Sequence, residues 1–126
     1  MHIAYVEDEP DIRDLTCMAL GDLGGFRVVP YANAGEALTG IPAGPPPDLL
    51  LLDVMLPEMD GRALLGALRA LPGLGRVPVI FMTAKTMPSE IAELEDLGAA
   101  GVISKPFDPL ALPDDIRRHL SGRSPG

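Results

Sequence analysis

Short apolar runs alternate with segments of helical spacing along the whole chain, and this alternation restricts the possible fold more than any other feature of the sequence. Apolar runs without polar interruption are typical of strands that are buried on both faces, as in a parallel sheet. The predicted strands are residues 3–6, 26–29, 49–52, 77–82 and 101–103. A chain of this kind is expected to bury one central sheet between layers of helices.

Between the strands, apolar residues recur at the intervals of a single helix face. The three longer stripes are Ile12, Leu15, Ala19 and Leu23; Leu64, Leu65, Leu68 and Leu71; and Ile91, Leu94 and Leu97. A shorter helix is predicted at residues 34–38 with Asn33 as its N-cap, and a last helix at about residues 113–120. Five strands alternating with five helices predict an α/β fold with a doubly wound parallel sheet and right-handed crossovers.

Composition and charge exclude several classes of protein. The 126 residues amount to one domain, expected at residues 1–120, with a flexible tail at residues 121–126. The net charge is −8, whereas domains that bind nucleic acid or anionic membranes directly are normally basic. Cys17 is the only cysteine, which excludes an internal disulfide and a thiolate zinc cluster. No apolar run is long enough to cross a membrane and no signal peptide is evident, so a cytoplasmic location is expected.

Polar residues follow four of the predicted strands at the point where each strand ends. Glu7 and Asp8 follow the first, Asp53 the third, Thr83 the fourth and Lys105 the fifth. Ligands of open α/β sheets bind beyond the carboxyl ends of the strands, and in the strand order 2-1-3-4-5 these four strands are neighbours. Loops are polar in any protein, so no single residue decides the matter. An acid directly after a buried strand is less ordinary, because an unpaired carboxylate there is costly.

Three carboxylates, a hydroxyl and an ammonium group together suit phosphoryl chemistry. Crowded carboxylates repel one another and need a cation, and a set of oxygen ligands without Cys or His selects Mg²⁺ or Mn²⁺. A carboxylate beside such an ion can attack phosphorus and form an aspartyl-phosphate. We therefore predict that Asp53 accepts a phosphoryl group whose oxygens are held by the metal, Lys105 and Thr83.

Four motifs, in this order, resemble the receiver domain of two-component response regulators, the CheY-like receivers. They are VEDEP at residues 6–10, DVMLPEMDG at residues 53–61, MTA at residues 82–84 and KPFDP at residues 105–109. The resemblance extends from His2 to about Leu120. It implies a flavodoxin-like, doubly wound five-stranded parallel sheet of order 2-1-3-4-5 with five helices.

The resemblance also implies roles for the residues at the strand ends. Asp53 would be the phosphoacceptor, Asp8 would bind Mg²⁺ (or Mn²⁺) directly together with Asp53, and Glu7 would hold the ion through water. The backbone carbonyl of Met55 would be a further metal ligand, and Gly61 would let the loop turn after the phosphorylation site.

Two more residues complete the site that the resemblance implies. Thr83 matches the switch hydroxyl that moves toward the phosphoryl group, and Lys105 matches the lysine that pairs with that group. The Lys105–Pro106 peptide bond would be cis by the same analogy, since few X–Pro bonds are otherwise cis.

Three positions are expected to modulate the switch. Val102 stands where many receivers have a Tyr or Phe that swings inward, and a valine has no large ring to relocate. We therefore expect switching through the loop after the fourth strand (residues 85–89) and the helix that follows it. Met55 and Lys85 flank the expected phosphoryl group, where Met55 could shield phosphorus from water and Lys85 could add a charge; alternatively, both point into solvent.

The leading hypothesis is a signalling switch that takes phosphate from a histidine kinase or a histidine phosphotransfer protein and catalyses only its own phosphorylation and dephosphorylation. It would contact an unknown downstream protein through the fourth helix, fifth strand and fifth helix, as a monomer or a phosphorylation-dependent dimer. Met1 favours a stand-alone protein or an N-terminal receiver.

Three alternatives remain open: a receiver excised from a hybrid histidine kinase or a multidomain regulator, a pseudo-receiver that takes no phosphate, and a Mg²⁺-dependent phosphatase. Such phosphatases usually have a second acid two residues after the nucleophile, where this chain has Met55. A pseudo-receiver would lack an Asp or a Lys of the site, and both Asp53 and Lys105 are present.

Overall fold

Five parallel strands form one sheet in the computed structural model, which describes residues 1–122. The strands are β1 (His2–Val6), β2 (Arg27–Tyr31), β3 (Leu49–Asp53), β4 (Val79–Thr83) and β5 (Gly101–Ser104). Their order is β2-β1-β3-β4-β5, which confirms the predicted doubly wound sheet. Every residue of β3 and β4 is buried, because helices cover both faces of the sheet.

The register of the strands aligns their carboxyl ends. Val6 pairs with Leu52, and one step further along the sheet Asp53 pairs with Met82 and Thr83 with Ser104. Residues that leave these four strands therefore emerge at the same edge, as the sequence predicts for the polar residues after each strand.

Five helices connect the strands. They are α1 (Pro10–Met18), α2 (Ala34–Gly40), α3 (Gly61–Arg69), α4 (Pro88–Asp96) and α5 (Leu112–Ser121), and a π-helical turn (Ala19–Leu23) extends α1. Asn33 caps α2 as predicted, since its side chain accepts a hydrogen bond from the Glu36 backbone at 2.8 Å. Within the described part of the chain, no helix is long and apolar enough to cross a membrane.

The core consists of two apolar clusters on opposite faces of the sheet. Alternate strand residues divide between them, so that Ala4 and Val6 belong to one cluster and Ile3 and Tyr5 to the other. Helices α2, α3 and α4 cover the first face, and α1, its π-helical turn and α5 cover the second. The side chain of Tyr5 is thereby directed toward α1.

The buried face of the first helix differs from the predicted stripe. Leu15 is 38% exposed and Leu23 is 55% exposed, whereas Thr16 and Leu20 are fully buried together with Ala19. Helical spacing predicts only that one face of the helix is buried. Two features of the structure accompany the difference between the predicted and the observed buried face. The Thr16 hydroxyl finds a buried partner, and the wider π-helical turn shifts the residues after Met18 relative to α-helical spacing.

Other helices follow the prediction more closely. Leu64, Leu65 and Leu68 of α3 are buried, whereas in α4 only Leu94 is buried. Leu97 is 46% exposed and is the C-cap residue, one position after α4 ends at Asp96. Helix α5 includes Ser121, one residue beyond the predicted boundary, and the remaining predicted tail residues 123–126 lie outside the described residues.

Candidate functional site

Three acidic side chains meet at the carboxyl edge of the sheet. Carboxylate oxygens of Glu7, Asp8 and Asp53 lie within 4.8 Å of one another. Glu7 and Asp8 directly follow β1, and Asp53 is the last residue of the neighbouring strand β3, so the parallel register brings them together. Glu7 is fully buried and Asp53 is 3% exposed, which makes their charges costly without a partner.

Lys105 supplies positive charge to this group. Its Nζ atom donates hydrogen bonds to Glu7 Oε1 at 2.8 Å and to Asp53 Oδ2 at 3.1 Å. The lysine follows β5, and its side chain extends past β4 to the acidic group. The Lys105–Pro106 peptide bond is cis. One ammonium group beside three carboxylates leaves an excess of negative charge.

The pKa directions follow from this arrangement. Burial raises the pKa of Glu7, and the negative charge of Asp53 acts in the same direction, against the hydrogen bond from Lys105. Burial alone would lower the pKa of Lys105, but its hydrogen bond to Glu7 and the charges of Asp53 and Glu7 outweigh burial and raise that pKa. The lysine therefore stays protonated, and the acidic group gains from a further cation.

The donor set fits Mg²⁺. Hard carboxylate oxygens are the ligands that this ion prefers, and a small number of carboxylates leaves positions for water and phosphoryl oxygens. Asp8 and Asp53 would bind the ion, with Glu7 behind them. Met55 lies two residues after Asp53, and its backbone N–H donates a hydrogen bond to Asp53 Oδ1 at 3.2 Å. The backbone carbonyl of Met55, the further metal ligand that the sequence predicts, is therefore in the loop next to the acidic group.

Thr83 ends β4 beside the acidic group, and its side chain is buried. Its hydroxyl oxygen accepts a hydrogen bond from the Lys85 backbone at 3.0 Å. Thr83 also lines a cleft of about 240 Å³ beneath α4, together with Met55, Lys85 and Leu94. The Thr83 hydroxyl is thus bonded to the loop that follows β4.

The three predicted modulating positions differ in their surroundings. Met55 is 56% exposed and Lys85 is exposed, and both line the same cleft as Thr83. Val102 pairs with Phe81 across β5 and β4 and is half-buried against the cluster that α2, α3 and α4 cover. Met55 and Lys85 therefore both lie beside Thr83, and their effect on phosphate lifetime stays a prediction.

Gly61 closes the loop between Asp53 and α3. Its N–H donates to the Val54 carbonyl at 2.8 Å. A Cβ atom at this position would collide with the backbone carbonyl of Asp53 and would lie 2.9 Å from the Val54 Cα atom. The predicted turn therefore has a steric reason, since only glycine allows this close approach.

Sequence reasoning missed three residues that support the acidic group from α1 and β1. Arg13 Nη1 donates to the Glu7 backbone carbonyl at 2.9 Å. The Tyr5 hydroxyl, on the face of the sheet that α1 covers, can donate a hydrogen bond to Thr16 Oγ1 at 3.0 Å or to Glu7 Oε1 at 3.5 Å. One signal was available, because residues two apart in a strand point to the same face, so Tyr5 and Glu7 are expected to be neighbours. Thr16 and Arg13 gave no comparable signal.

Comparison with known proteins agrees with this geometry. The family model of the response regulator receiver domain matches residues 3–117. The response regulator Rre1 of Synechocystis is 35% identical over 119 residues, covering 94% of this chain and 51% of that protein. A 14.6 kDa protein of Leptolyngbya boryana is 39% identical over 112 residues, covering 89% of this chain and 84% of that protein.

Solved structures show the same likeness. The chemotaxis response regulator CheY4 of Vibrio cholerae has a TM-score of 0.84 with this chain at 29% identity, covering 94% of this chain and 97% of that one. The chain spans about half the length of the Synechocystis regulator and 50% of the DNA-binding response regulator MtrA of Mycolicibacterium smegmatis, to which it is 35% identical.

Proposed function

The chain belongs to the response regulator receiver domain family, and we propose that it is a phosphoryl-accepting switch that uses Asp53 and Mg²⁺. One observation carries this proposal. The Lys105 ammonium group bridges Asp53 and Glu7 inside a group of three carboxylates at the carboxyl edge of the sheet. A nucleophilic carboxylate, a metal site and a fixed cation at hydrogen-bond distance are the parts that phosphoryl transfer to an aspartate needs.

The transfer step follows from these parts. An Asp53 carboxylate oxygen attacks phosphorus of a phosphohistidine, a P–O bond forms, and the P–N bond breaks with its electron pair remaining on the imidazole nitrogen. Mg²⁺ would supply charge neutralisation at a phosphoryl oxygen. Lys105 would pair with a second oxygen, and the hydroxyl of Thr83, at the end of the strand next to β3, would meet a third. Hydrolysis of the aspartyl-phosphate by water then returns the switch to its resting state.

The Thr83 hydroxyl connects the phosphoryl group to the surface. In the resting arrangement, this hydroxyl accepts a hydrogen bond from the backbone of Lys85, the first residue of the loop 85–89, so a turn of Thr83 toward phosphate would remove that contact. That loop leads directly into α4. We expect the signal to pass through this loop and α4 to the face formed by α4, β5 and α5, where a downstream protein would bind.

Partners and location follow from the same proposal. A histidine kinase or a histidine phosphotransfer protein would supply the phosphoryl group in the cytoplasm. In this role the domain catalyses only its own phosphorylation and dephosphorylation. The switch would act in the same way alone or within a longer regulator, since the site lies entirely within residues 7–105.

The test is incubation with acetyl phosphate and Mg²⁺ followed by intact-mass measurement. We expect the mass to increase by one phosphoryl group, and we expect no increase for Asp53→Asn or in the presence of EDTA. A chain that gains no phosphoryl group would contradict the proposal. Repeated turnover of an added phosphomonoester without a stable adduct would instead support a phosphatase.

A further inference from the structure

Apart from tyrosine, four polar side chains are buried among residues 1–122, and only one of these four lies outside the predicted site. Glu7, Asp53 and Thr83 belong to that site, whereas Thr16 lies on α1 and is fully buried. Its hydroxyl oxygen is 3.0 Å from the hydroxyl of Tyr5, which is also fully buried. Buried hydroxyl groups need partners, so this pair satisfies itself, but it also lies next to the acidic group.

The Tyr5 hydroxyl stands between two acceptors. It is 3.0 Å from Thr16 Oγ1 and 3.5 Å from Glu7 Oε1, but a phenol has only one proton to donate. The same Glu7 oxygen already accepts a 2.8 Å hydrogen bond from Lys105. A carboxylate is the stronger acceptor, yet with Lys105 bonded to Glu7 the Tyr5 hydroxyl lies closer to Thr16.

Lys105 makes the shortest of the hydrogen bonds that the Glu7 carboxylate accepts. Besides Lys105 and Tyr5, the one further donor to its carboxylate in the described chain is the Glu9 backbone, 3.3 Å from Oε2. Under the proposed function, a phosphoryl group on Asp53 gives Lys105 a more strongly charged partner. Glu7 Oε1 would then lose its ammonium contact in a place where its side chain is fully buried.

We propose that Tyr5 is a positioning residue whose hydroxyl, held by Thr16, takes over the hydrogen bond to Glu7 Oε1 when Lys105 turns to the phosphoryl group. Thr16 can then donate to the Tyr5 oxygen, so both hydroxyls stay satisfied. This inference rests on the proposed function and extends it, because it assigns a residue that makes the departure of Lys105 from Glu7 less costly. Tyr5 therefore stabilises the phosphorylated state more than the resting one.

The experiment compares Tyr5→Phe with Tyr31→Phe, the same substitution at the other tyrosine, as a matched control. Affinity for beryllofluoride, a phosphoryl mimic, is measured at constant Mg²⁺ by calorimetric titration. Tyr5→Phe removes the donor to Glu7, and we expect about tenfold weaker binding. Tyr31→Phe removes a hydroxyl that is not among the donors to the Glu7 carboxylate in the described chain, and we expect affinity within about twofold of wild type. Equal affinity for Tyr5→Phe and wild type, or an equal loss in both variants, would overturn the inference.

A second measurement needs no variant. In protein labelled with ¹³C at the tyrosine ζ carbons, the Tyr5 resonance should shift when Mg²⁺ and beryllofluoride are added. Tyr31, the other tyrosine, lies on β2 with its ring beside Gly40 of α2, and we expect its resonance to stay in place as the internal control. A Tyr5 resonance that does not move would overturn the inference alone. Wild-type protein that binds no beryllofluoride and takes no phosphate would overturn the proposed function, and this inference with it.

Discussion

Lys105 and Glu7 are 98 residues apart in the chain, and the lysine Nζ atom lies 2.8 Å from the buried glutamate Oε1 atom. The pair joins the two ends of the receiver fold, since Glu7 follows β1 and Lys105 follows β5. A buried carboxylate without this partner would carry a large desolvation cost. The contact therefore links the stability of the fold to the state of the phosphorylation site.

Loss of the lysine should destabilise the protein most when metal is absent. We expect Lys105→Met to lower the free energy of unfolding in EDTA by about 3 kcal/mol, because Glu7 and Asp53 stay buried without their ammonium partner. Mg²⁺ should restore part of this loss. Urea unfolding measures both effects, and the exposed Lys85→Met is the control, expected within about 0.5 kcal/mol of wild type. Equal losses for the two variants would contradict the role of Lys105.

Glu7 should make stability without metal fall as pH rises. Its folded-state pKa is raised above the ordinary value of 4.5, so its contribution is fully present below the unfolded pKa and is lost as pH rises through the folded pKa. Relative to Glu7→Gln, the wild type should therefore lose stability above about pH 4.5 in EDTA. Urea unfolding across this range is the measurement. Glu95→Gln, on the exposed side of α4, should follow the wild-type profile, and a parallel profile for Glu7→Gln would exclude this linkage.

Two glycines of α3 should respond in opposite ways to alanine. Gly61→Ala places a Cβ atom against the Asp53 carbonyl and the Val54 Cα atom, so we expect a loss of about 1–3 kcal/mol and slower phosphorylation by acetyl phosphate. Nothing lies near the corresponding atom of Gly66, and Gly66→Ala should stabilise the helix by about 0.5–1 kcal/mol. Thermal or urea unfolding distinguishes the pair, and similar effects at both positions would mean that the loop relaxes freely around Gly61.

Met55 should slow the loss of phosphate. Its side chain lines the cleft beside Thr83 and is large enough to restrict access of water to phosphorus. We expect Met55→Asn to lose phosphate about threefold faster than wild type, which corresponds to ~0.7 kcal/mol of barrier. The decay of phosphoprotein is followed by intact mass after removal of the donor. An unchanged or slower decay would indicate that Met55 merely points into solvent.

Activation should change the loop after β4 more than β5. Because Val102 has no ring to relocate, beryllofluoride with Mg²⁺ should shift backbone amide resonances from Thr83 to about Glu95 and leave the Val102 rotamer unchanged. Amide and methyl NMR spectra report both regions in one titration. Large shifts at Val102 with none in residues 85–89 would show that activation changes β5 and not the loop after β4.

Much of the fold and part of the site are visible in the sequence. The apolar run at Leu49–Asp53 must be buried on both faces, and an acid at its end must reach the carboxyl edge of a parallel sheet. Similar reasoning places Glu7, Thr83 and Lys105 at that edge. Their roles as phosphoacceptor, metal ligand and switch stay predictions that the experiments above address.

The sequence by itself thus determined the strands, their alternation with helices and the edge at which the charged residues collect, because burial and strand periodicity act locally along the chain. Only the tertiary structure decided that Thr16 rather than Leu15 is buried on α1 and that Tyr5 lies between Thr16 and Glu7. The rotation of a helix about its axis, and the partner of a buried hydroxyl, depend on packing between elements that are distant in the chain. A local sequence pattern does not predict that packing.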